Sequence, residues 1–257
     1  MQMEKLVNWL GVWMIGKSKS VGIIALLFWE TFTNLGKANI KETIKQMAKL
    51  GVDSLPIVII TTTAAGMVFA VQTAKEFVKL GAGDTVGGIV TIAMGRELVP
   101  ILVGVVVAGR VGAAITAEIG SMKVTEQIDA LRVMAISPVN YLVVPRFWAC
   151  VLMMPILGIF ANILGSWGGY FVSNLYAGIT SYSYLHSAKT FCVPFDIVGG
   201  LIKCMFFGGI IAVIGCHKGL TTFAGAEGVG VSTTNSVVLS IIMIFITNYF
   251  LSVVLYV

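Results

Sequence analysis

Five long apolar segments constrain the fold of this chain more than any other feature of its sequence. They cover approximately residues 54–75, 86–110, 145–172, 197–217 and 235–257. An α-helix rises 1.5 Å per residue, so roughly 20 apolar residues cross the hydrocarbon core of a bilayer. Charged residues make up only 11% of the chain, against roughly 25% in soluble domains. The sequence therefore predicts an all-α integral membrane protein with five transmembrane helices.

Residues 1–50 differ from this pattern because lysines interrupt their two short apolar runs. Neither run reaches the length of a membrane span. Trp9, Trp13 and Trp29 lie near lysines, as is typical of amphipathic helices in the headgroup plane of a membrane. We therefore predict amphipathic interfacial helices within residues 1–50 and a five-span domain over residues 51–257.

The positions of lysine and arginine predict the orientation of the spans, because cytoplasmic loops carry an excess of both. If the lysine-rich N-terminus is cytoplasmic, the segments 76–85 and 173–196 face the other side of the membrane. Only Lys75, Lys79 and Lys189 lie in or beside those segments. The predicted topology therefore has a cytoplasmic N-terminus and an external C-terminus.

The segment GVWMIGKS at residues 11–18 fits the phosphate-binding pattern GxxxxGK[ST] letter for letter. Such a loop needs a buried strand before it and small residues, so that backbone N–H groups can surround the phosphates. Here a segment of helical type precedes the pattern, and the loop positions carry Val, Trp, Met and Ile. We therefore expect another chain to bind any ATP that this protein uses.

Two adjacent charges, Arg96 and Glu97, lie near the centre of the second apolar segment. Each costs roughly 2.5–3.5 kcal/mol on insertion scales, so each must face protein or water. Neighbours on a helix project about 100° apart, so the two side chains do not satisfy each other. Lys203 and Asp196 are the candidate partners at membrane depth. We predict one pair between Glu97 and Lys203, and a second between Arg96 and Asp196 or backbone carbonyls.

Another charged region runs from Glu118 to Met134, between the second and third spans. Its charges alternate with apolar residues at spacings of three and four, which predicts one amphipathic helix. Two interpretations are open for this helix. It caps the bundle, or it docks into a groove on a soluble partner, with Glu126 and Asp129 supplying polar contacts.

The segment AGRVGAAITAEIGSMKVTEQIDAL at residues 108–131 is followed by PRFWA at 145–149. Together with GMVFAVQ at 66–72, GRELVP at 95–100 and GAEGVGVSTTNSVV at 225–238, it closely resembles the MlaE/YrbE family of permeases. Members of that family are membrane subunits of ABC transporters that move phospholipids with MCE-domain proteins. The resemblance implies that this chain is a homodimeric permease subunit that moves phospholipids between the inner membrane and an MCE-protein partner.

The resemblance also implies partners and site residues. An ATPase dimer docks beneath the permease and binds ATP and Mg, a ring of MCE proteins sits on the outer face, and phospholipid occupies a cavity between two permease copies. This chain itself is expected to be no enzyme, to hold no cofactor or metal, and to bind no nucleic acid. The residues implied to line the lipid cavity are Phe69, Thr73, Phe77, Leu80, Arg96, Glu97 and Lys203. Those implied to contact the ATPase, in a coupling helix at about 115–136, are Glu118, Met122, Lys123, Glu126, Gln127, Asp129, Leu131 and Arg132.

Two roles are open for Arg96, Glu97 and Lys203: an ion-pair lock between helices, or a polar floor at which the cavity meets a phosphate headgroup. In the last span, Asn248 stands where we expect many relatives to carry an acid, so no charge is available at that position. An alternative function is an ion-gradient-driven secondary carrier or channel that uses the same three residues as a relay. The absence of a transit peptide favours the bacterial inner membrane as the location.

Overall fold

The computed structural model describes residues 22–37, 39–223 and 225–256, and within these ranges the chain forms helices and turns and no strand. The motif at residues 11–18 and the first part of the predicted interfacial region, residues 1–21, lie outside the described residues. The helices of seven or more residues are α1 Gly22–Thr33, α2 Ile40–Leu50, α3 Leu55–Lys79, α4 Gly83–Val124, α5 Gln127–Val133, α6 Val139–Ala177, α7 Ser181–Phe191, α8 Pro194–Leu220 and α9 Gly225–Tyr256.

Five of these helices, α3, α4, α6, α8 and α9, are long and apolar enough to cross a membrane. The predicted all-α fold with five spans is therefore confirmed. Helix α4 has 42 residues and α6 has 39, whereas about 20 suffice to cross the hydrocarbon core. The observed helices extend past the apolar segments because hydropathy marks the part that lipid surrounds, while backbone hydrogen bonding continues beyond it.

The five spans alternate in direction, so the bundle has two ends. One end, called here the α5 end, carries α2, the start of α3, α5 and the link between α8 and α9. The other, called here the α7 end, carries the end of α3, the start of α4, α7 and the end of α9. Helix α7 packs across the start of α4, where the hydroxyl oxygen of Ser187 accepts a hydrogen bond from the backbone N–H of Gly88 at 2.9 Å.

Glycines set the closest helix crossings in the bundle. A Cβ atom at Gly66 of α3 would collide with the backbone of Gly165 in α6, and one at Gly200 of α8 would collide with the backbone of Gly95 in α4. Small residues let helix backbones approach, and in lipid this contact is a main source of attraction between helices. The second crossing places α8 directly against the part of α4 that carries Arg96 and Glu97.

Helix α4 departs from regular α-helical geometry at both of its arginines. Turns of π-helix occupy Met94–Leu98 and Ala108–Gly112. Pro100 lies four residues after Arg96 and has no N–H, so the carbonyl oxygen of Arg96 lacks its usual intrahelical donor. Single π turns within α-helices are frequent at functional sites. The first of these turns contains both charges that the sequence places at mid-membrane depth.

Helix α2 begins at a side-chain cap and packs against α6. The Asn39 side chain accepts hydrogen bonds from the N–H groups of Lys41 at 3.1 Å and Glu42 at 3.4 Å. Thr43, Gln46 and Leu50 are buried, whereas Ile40 and Ile44 are exposed. The buried face of α2 therefore combines Thr43 and Gln46 with Leu50, whereas its lysines and isoleucines are exposed. The predicted position of α2 in the headgroup plane stays a prediction.

The predicted single amphipathic helix from Glu118 to Met134 is wrong. Helix α4 ends at Val124, Glu126 adopts a left-handed conformation with φ 61°, and α5 begins at Gln127. The Thr125 hydroxyl donates to the carbonyl of Ser121 at 2.9 Å, one of the local side-chain bonds that compete with helix continuation. Periodicity cannot reveal such a break, because the apolar spacing is the same on both sides of it.

Helix α9 is the least buried of the five spans. Within it, only Ser236, Ser240 and Ile244 are buried, and most of its large apolar side chains are exposed. In a membrane, an apolar face of this size meets lipid or another apolar protein surface. Helix α9 therefore lies at the periphery of the bundle, attached along one narrow stripe.

Candidate functional site: a charged cluster inside the bundle

Glu97 of α4 and Lys203 of α8 form an ion pair within the membrane-spanning part of the bundle. The Lys203 ammonium lies 2.6 Å from Oε1 of Glu97, and the Lys203 side chain has no exposed surface. The pair that the sequence predicts is confirmed. Removing one partner of a buried ion pair leaves an uncompensated charge and costs roughly 3–5 kcal/mol, so neither residue is free to change alone.

All three donors of the Lys203 ammonium are used. Besides Glu97, it donates to the carbonyl oxygen of Arg96 at 2.9 Å and to the hydroxyl oxygen of Ser252 at 2.7 Å. The Arg96 carbonyl is the one that Pro100 deprives of a helical donor, so the proline on α4 creates an acceptor for the lysine on α8. An ammonium has three protons and no further donor to offer, so Lys203 is saturated as the structure stands.

Helix α9 completes the surroundings of Glu97. The Asn248 side-chain N–H donates to Oε2 of Glu97 at 2.8 Å, and the Ser252 hydroxyl lies 2.8 Å from Oε1. Asn248 therefore contributes a donor to a carboxylate, which an unprotonated acid at the same position could not do. Sequence reasoning missed Ser252, because nothing in an apolar span marks which serine faces the bundle.

Arg96 forms the second predicted pair. Its Nε lies 2.8 Å and its Nη2 2.7 Å from Oδ1 of Asp196, and the Asp196 side chain is only 2% exposed. The other oxygen of Asp196 accepts the backbone N–H of Val193 at 2.9 Å. Asp196 thus caps the start of α8 and binds Arg96 at the same time. The predicted pair between Arg96 and Asp196 is also confirmed.

Tyr256, the last described residue of α9, covers both cations of the cluster. The guanidinium carbon of Arg96 lies 4.8 Å and the ammonium of Lys203 5.0 Å from the centre of its ring, which is within cation–π range. The Tyr256 hydroxyl donates to the carbonyl oxygen of Asp196 at 3.2 Å. The ring fits there because Gly199 has no side chain; a Cβ at that position would collide with the Tyr256 hydroxyl.

The cluster is closed on one side and open on another. It contains two cations and two carboxylates, so its formal charges sum to zero. Lys203 and Asp196 are buried, whereas the side chains of Arg96 and Glu97 are each 37% exposed. Arg96 directs Nε and Nη2 at Asp196, which leaves its Nη1 without an acceptor among the described residues. A ligand or a second protein surface can therefore reach Arg96 without disturbing Lys203.

The α3 stripe, meaning the four residues at 69, 73, 77 and 80 that are predicted to line the lipid cavity, is only partly helical. Phe69, Thr73 and Phe77 lie on α3 and are half-buried, and both phenylalanines pack against the core. Leu80 follows the end of the helix and is 78% exposed. The lining of a lipid cavity by these residues stays a prediction.

The residues predicted to contact an ATPase lie at the α5 end and divide into two groups. Glu118 points inward, where its carboxylate lies 3.2 Å from the ammonium of Lys49 on α2 and 3.2 Å from the guanidinium of Arg146 on α6. Met122 and Leu131 are half-buried against the core. These three tie the end of the bundle together, as a capping segment would.

The second group lies around the break between α4 and α5. Lys123 bridges the break to Asp129 at 2.8 Å, and Arg132 adds a second pair with Asp129 at 3.2 Å. The hydrogen bond from Lys123, followed by the charges of both cations, lowers the pKa of Asp129. Glu126 and Gln127 are exposed. Contact between this group and another chain stays a prediction.

Five long apolar helices of alternating direction around a cluster of paired charges define a multi-pass membrane protein. The family model described as Permease MlaE matches residues 43–254. The chain belongs to the MlaE family of ABC transporter permeases.

Three relatives show the extent of the similarity. A probable ABC transporter permease of Synechocystis is 48% identical over 217 residues, 84% of this chain and 82% of its own. One from Rickettsia prowazekii is 39% identical over 250 residues, 96% of both chains. The chloroplast protein TRIGALACTOSYLDIACYLGLYCEROL 1 of Arabidopsis thaliana is 41% identical over 217 residues, and the match covers 84% of this chain and 62% of that protein.

Family membership has two consequences. A permease subunit is not itself an enzyme, and an ABC transporter permease implies an ATPase partner. The alternative function, a carrier or channel driven by an ion gradient, is wrong, because an ABC transporter is powered by the ATPase subunits that accompany its permease.

Proposed function

We propose that this permease moves phospholipid between the bacterial inner membrane and an MCE-domain protein on its outer face, driven by a cytoplasmic ATPase dimer. The similarity to the Arabidopsis protein supports a lipid as the transported molecule, because that protein bears the name of a galactolipid. The observation that carries the proposal is the charged cluster: Arg96 combines a partly exposed side chain with an unused Nη1 at membrane depth.

Within this proposal the two pairs of the cluster have different roles. Lys203 is the lock, because it is buried and all its donors are engaged by α4 and α9. Arg96 is the contact for the phosphate headgroup, because a guanidinium can bind Asp196 with one edge and a phosphate with the other. The sequence left two roles open, an ion-pair lock and a headgroup contact. In this proposal Lys203 takes the first role and Arg96, which lies beside it in the bundle, takes the second.

The exposed surfaces support the proposed positions of the remaining parts of the transporter. A second copy of this chain packs on the same side as Arg96 and Glu97, so that the two clusters and the α3 stripes of Phe69, Thr73, Phe77 and Leu80 line one lipid cavity. The ATPase docks at the α5 end against Glu126, Gln127 and Arg132, which are exposed there. The α7 end, which has few lysines, faces the MCE-domain protein, with the N-terminus in the cytoplasm and the C-terminus outside.

The test uses the permease reconstituted with its ATPase and MCE-domain partners, with ATP-driven phospholipid transfer as the readout. Arg96→Gln should slow transfer, measured per assembled complex, by at least about 10-fold. It removes a headgroup contact worth about 1.5–3 kcal/mol and also leaves the buried Asp196 carboxylate without its cation. Arg110→Gln, at the other π turn, is the matched control. Equal effects of the two variants, or normal transfer by Arg96→Gln, would contradict the proposal.

A charge swap separates the lock from the headgroup contact. Glu97→Lys combined with Lys203→Glu restores an opposite-charge pair but leaves the Arg96 carbonyl without its donor. A lock should therefore recover part of the assembly and transfer that either single variant loses. Failure of the double variant to recover transfer, with normal assembly of the complex, assigns Lys203 to the headgroup instead. Mass spectrometry of lipid that copurifies with the complex identifies the bound molecule, and a complex free of phospholipid would refute a lipid substrate.

A further inference from the structure

A groove opens between α3 and α6 at the α7 end of the bundle. These helices touch at Gly66 and Gly165, where a Cβ atom on Gly66 would collide with the backbone of Gly165. Two helices that cross at such a point diverge on either side of it, and the gap between them widens with distance from the crossing. Towards the α7 end the side chains of α3 and α6 do not fill this gap, and a groove of about 320 Å³ remains.

The groove has an apolar floor and a basic rim. Its floor is formed by Ala74 and Val172, which are buried, and its walls by Val71, Val78 and Tyr176, which are exposed. Lys75 and Lys79 lie at the rim, one turn apart on α3. An apolar slot that ends in ammonium groups matches a molecule with a hydrocarbon chain and an anionic head.

The depth of the groove matches that of a lipid. It lies along the last two turns of α3, a helix long enough to cross the membrane, so its floor is at acyl-chain depth and its rim at headgroup depth. Tyr176 is an exposed aromatic residue at the same level, as is common at the membrane–water boundary. A soluble anion would have no reason to use the apolar floor.

The charges at the rim favour an anionic headgroup. Lys79 already pairs with Glu76 at 3.0 Å, whereas Lys75 makes no ion pair with any described residue. The side chains of Lys75, Glu76 and Lys79 together carry one net positive charge. A headgroup with one net negative charge complements this rim, while a zwitterionic headgroup brings its own cation next to the lysines.

This groove is separate from the predicted transport cavity. At 100° per residue, Val71, Lys75 and Val78 lie on roughly the opposite side of α3 from Phe69, Thr73 and Phe77. A lipid in the groove therefore contacts the outer surface of the bundle. We propose that the groove between α3 and α6 binds one anionic phospholipid of the surrounding bilayer, with its phosphate on Lys75 and one acyl chain against Val71, Val78 and Val172.

The test uses the full transporter in lipid nanodiscs with a photoactivatable phosphatidylglycerol, whose crosslinks are mapped by mass spectrometry, in the absence of ATP. Crosslinks are expected on residues 71–79 and 172–177. Lys75→Gln should reduce them about five-fold, the ratio for losing one lysine near an anionic membrane surface. Lys189→Gln, a lysine of α7 at the same end, is the matched control and should leave them unchanged.

Two further arms distinguish the possible occupants. Val71→Trp fills the groove from its exposed wall and should abolish the crosslinks even though Lys75 is intact. Inorganic phosphate at millimolar concentration should not compete, because it cannot use the apolar floor. Equal labelling by a photoactivatable phosphatidylcholine, competition by phosphate, unchanged labelling in Lys75→Gln, or an absence of lipid crosslinks on residues 71–79 and 172–177 would each overturn the proposal. None of these measurements depends on transport, so failure of the proposed function leaves this result intact.

Discussion

Replacement of Lys203 by methionine tests the central contact of the charged cluster. Methionine keeps a long unbranched side chain but removes the ammonium, and with it the bonds to Glu97, to the Arg96 carbonyl and to Ser252. Loss of one partner from a buried ion pair costs roughly 3–5 kcal/mol. Glu97 is 37% exposed and keeps its bond from Asn248, so part of its charge stays solvated and paired. We therefore expect a loss near the lower limit, about 3 kcal/mol.

The assay is reversible unfolding of the purified permease in mixed detergent micelles, titrated with sodium dodecyl sulfate and followed by tryptophan fluorescence. Lys218→Met, on the same helix but making no ion pair with a described residue, is the control for loss of a lysine from α8. Adding Glu97→Gln to Lys203→Met removes the stranded charge and should recover a substantial part of the loss, which a double-mutant cycle measures as a coupling energy. A loss of unfolding free energy in Lys203→Met no larger than that in Lys218→Met, or a cycle without coupling energy, would refute a stabilising pair between Lys203 and Glu97.

Three further predictions concern other parts of the molecule. Gly66→Ala should destabilise the permease by about 1–3 kcal/mol because its Cβ meets the α6 backbone, whereas Gly109→Ala, which meets nothing, should not; the same unfolding titration decides. With Cys192 replaced by serine, Glu126→Cys should react with a membrane-impermeant maleimide only from the cytoplasmic side and Lys189→Cys only from the other, and the opposite pattern refutes the topology. Because the pKa of Asp129 is lowered on folding, its contribution is present above the ordinary carboxyl pKa of about 3.9 and is lost as pH falls through the lower, folded value. The protection factors of the α5 amides, which compare each exchange rate with the intrinsic rate at the same pH, should fall over that acidic range in the wild type. An equal fall in Asp129→Asn would exclude this origin.

The charge pairs could be predicted because a membrane leaves a charge few choices. Arg96 and Glu97 needed partners at their own depth, and Lys203 and Asp196 were the candidates that the sequence offered there. The span count was predictable for a similar reason, since lipid sets a minimum apolar length. In both cases the surrounding lipid excludes other arrangements of the chain, so the order of residues along the sequence is sufficient for the prediction.

Other parts of the cluster could not be predicted because they depend on helix register. Ser252 and Tyr256 reach the charges only through the way α9 packs on α4 and α8, and Gly199 makes room for the tyrosine ring. The sequence does contain one signal for this contact, because Pro100 lies four residues after Arg96 and so frees the carbonyl that Lys203 binds. The break at Glu126 left no signal in the apolar spacing.

The amino-acid sequence alone determined that this chain crosses a membrane five times and that its buried charges pair between the second and fourth spans. Hydrocarbon enforces both results, because it accepts neither a short span nor a lone charge. Only the tertiary structure decided which face of α9 closes the cluster, which of the paired residues stays reachable, and where α3 and α6 separate. These features depend on the contact of particular glycines with neighbouring backbones, and a sequence states that a glycine is present but not what lies against it.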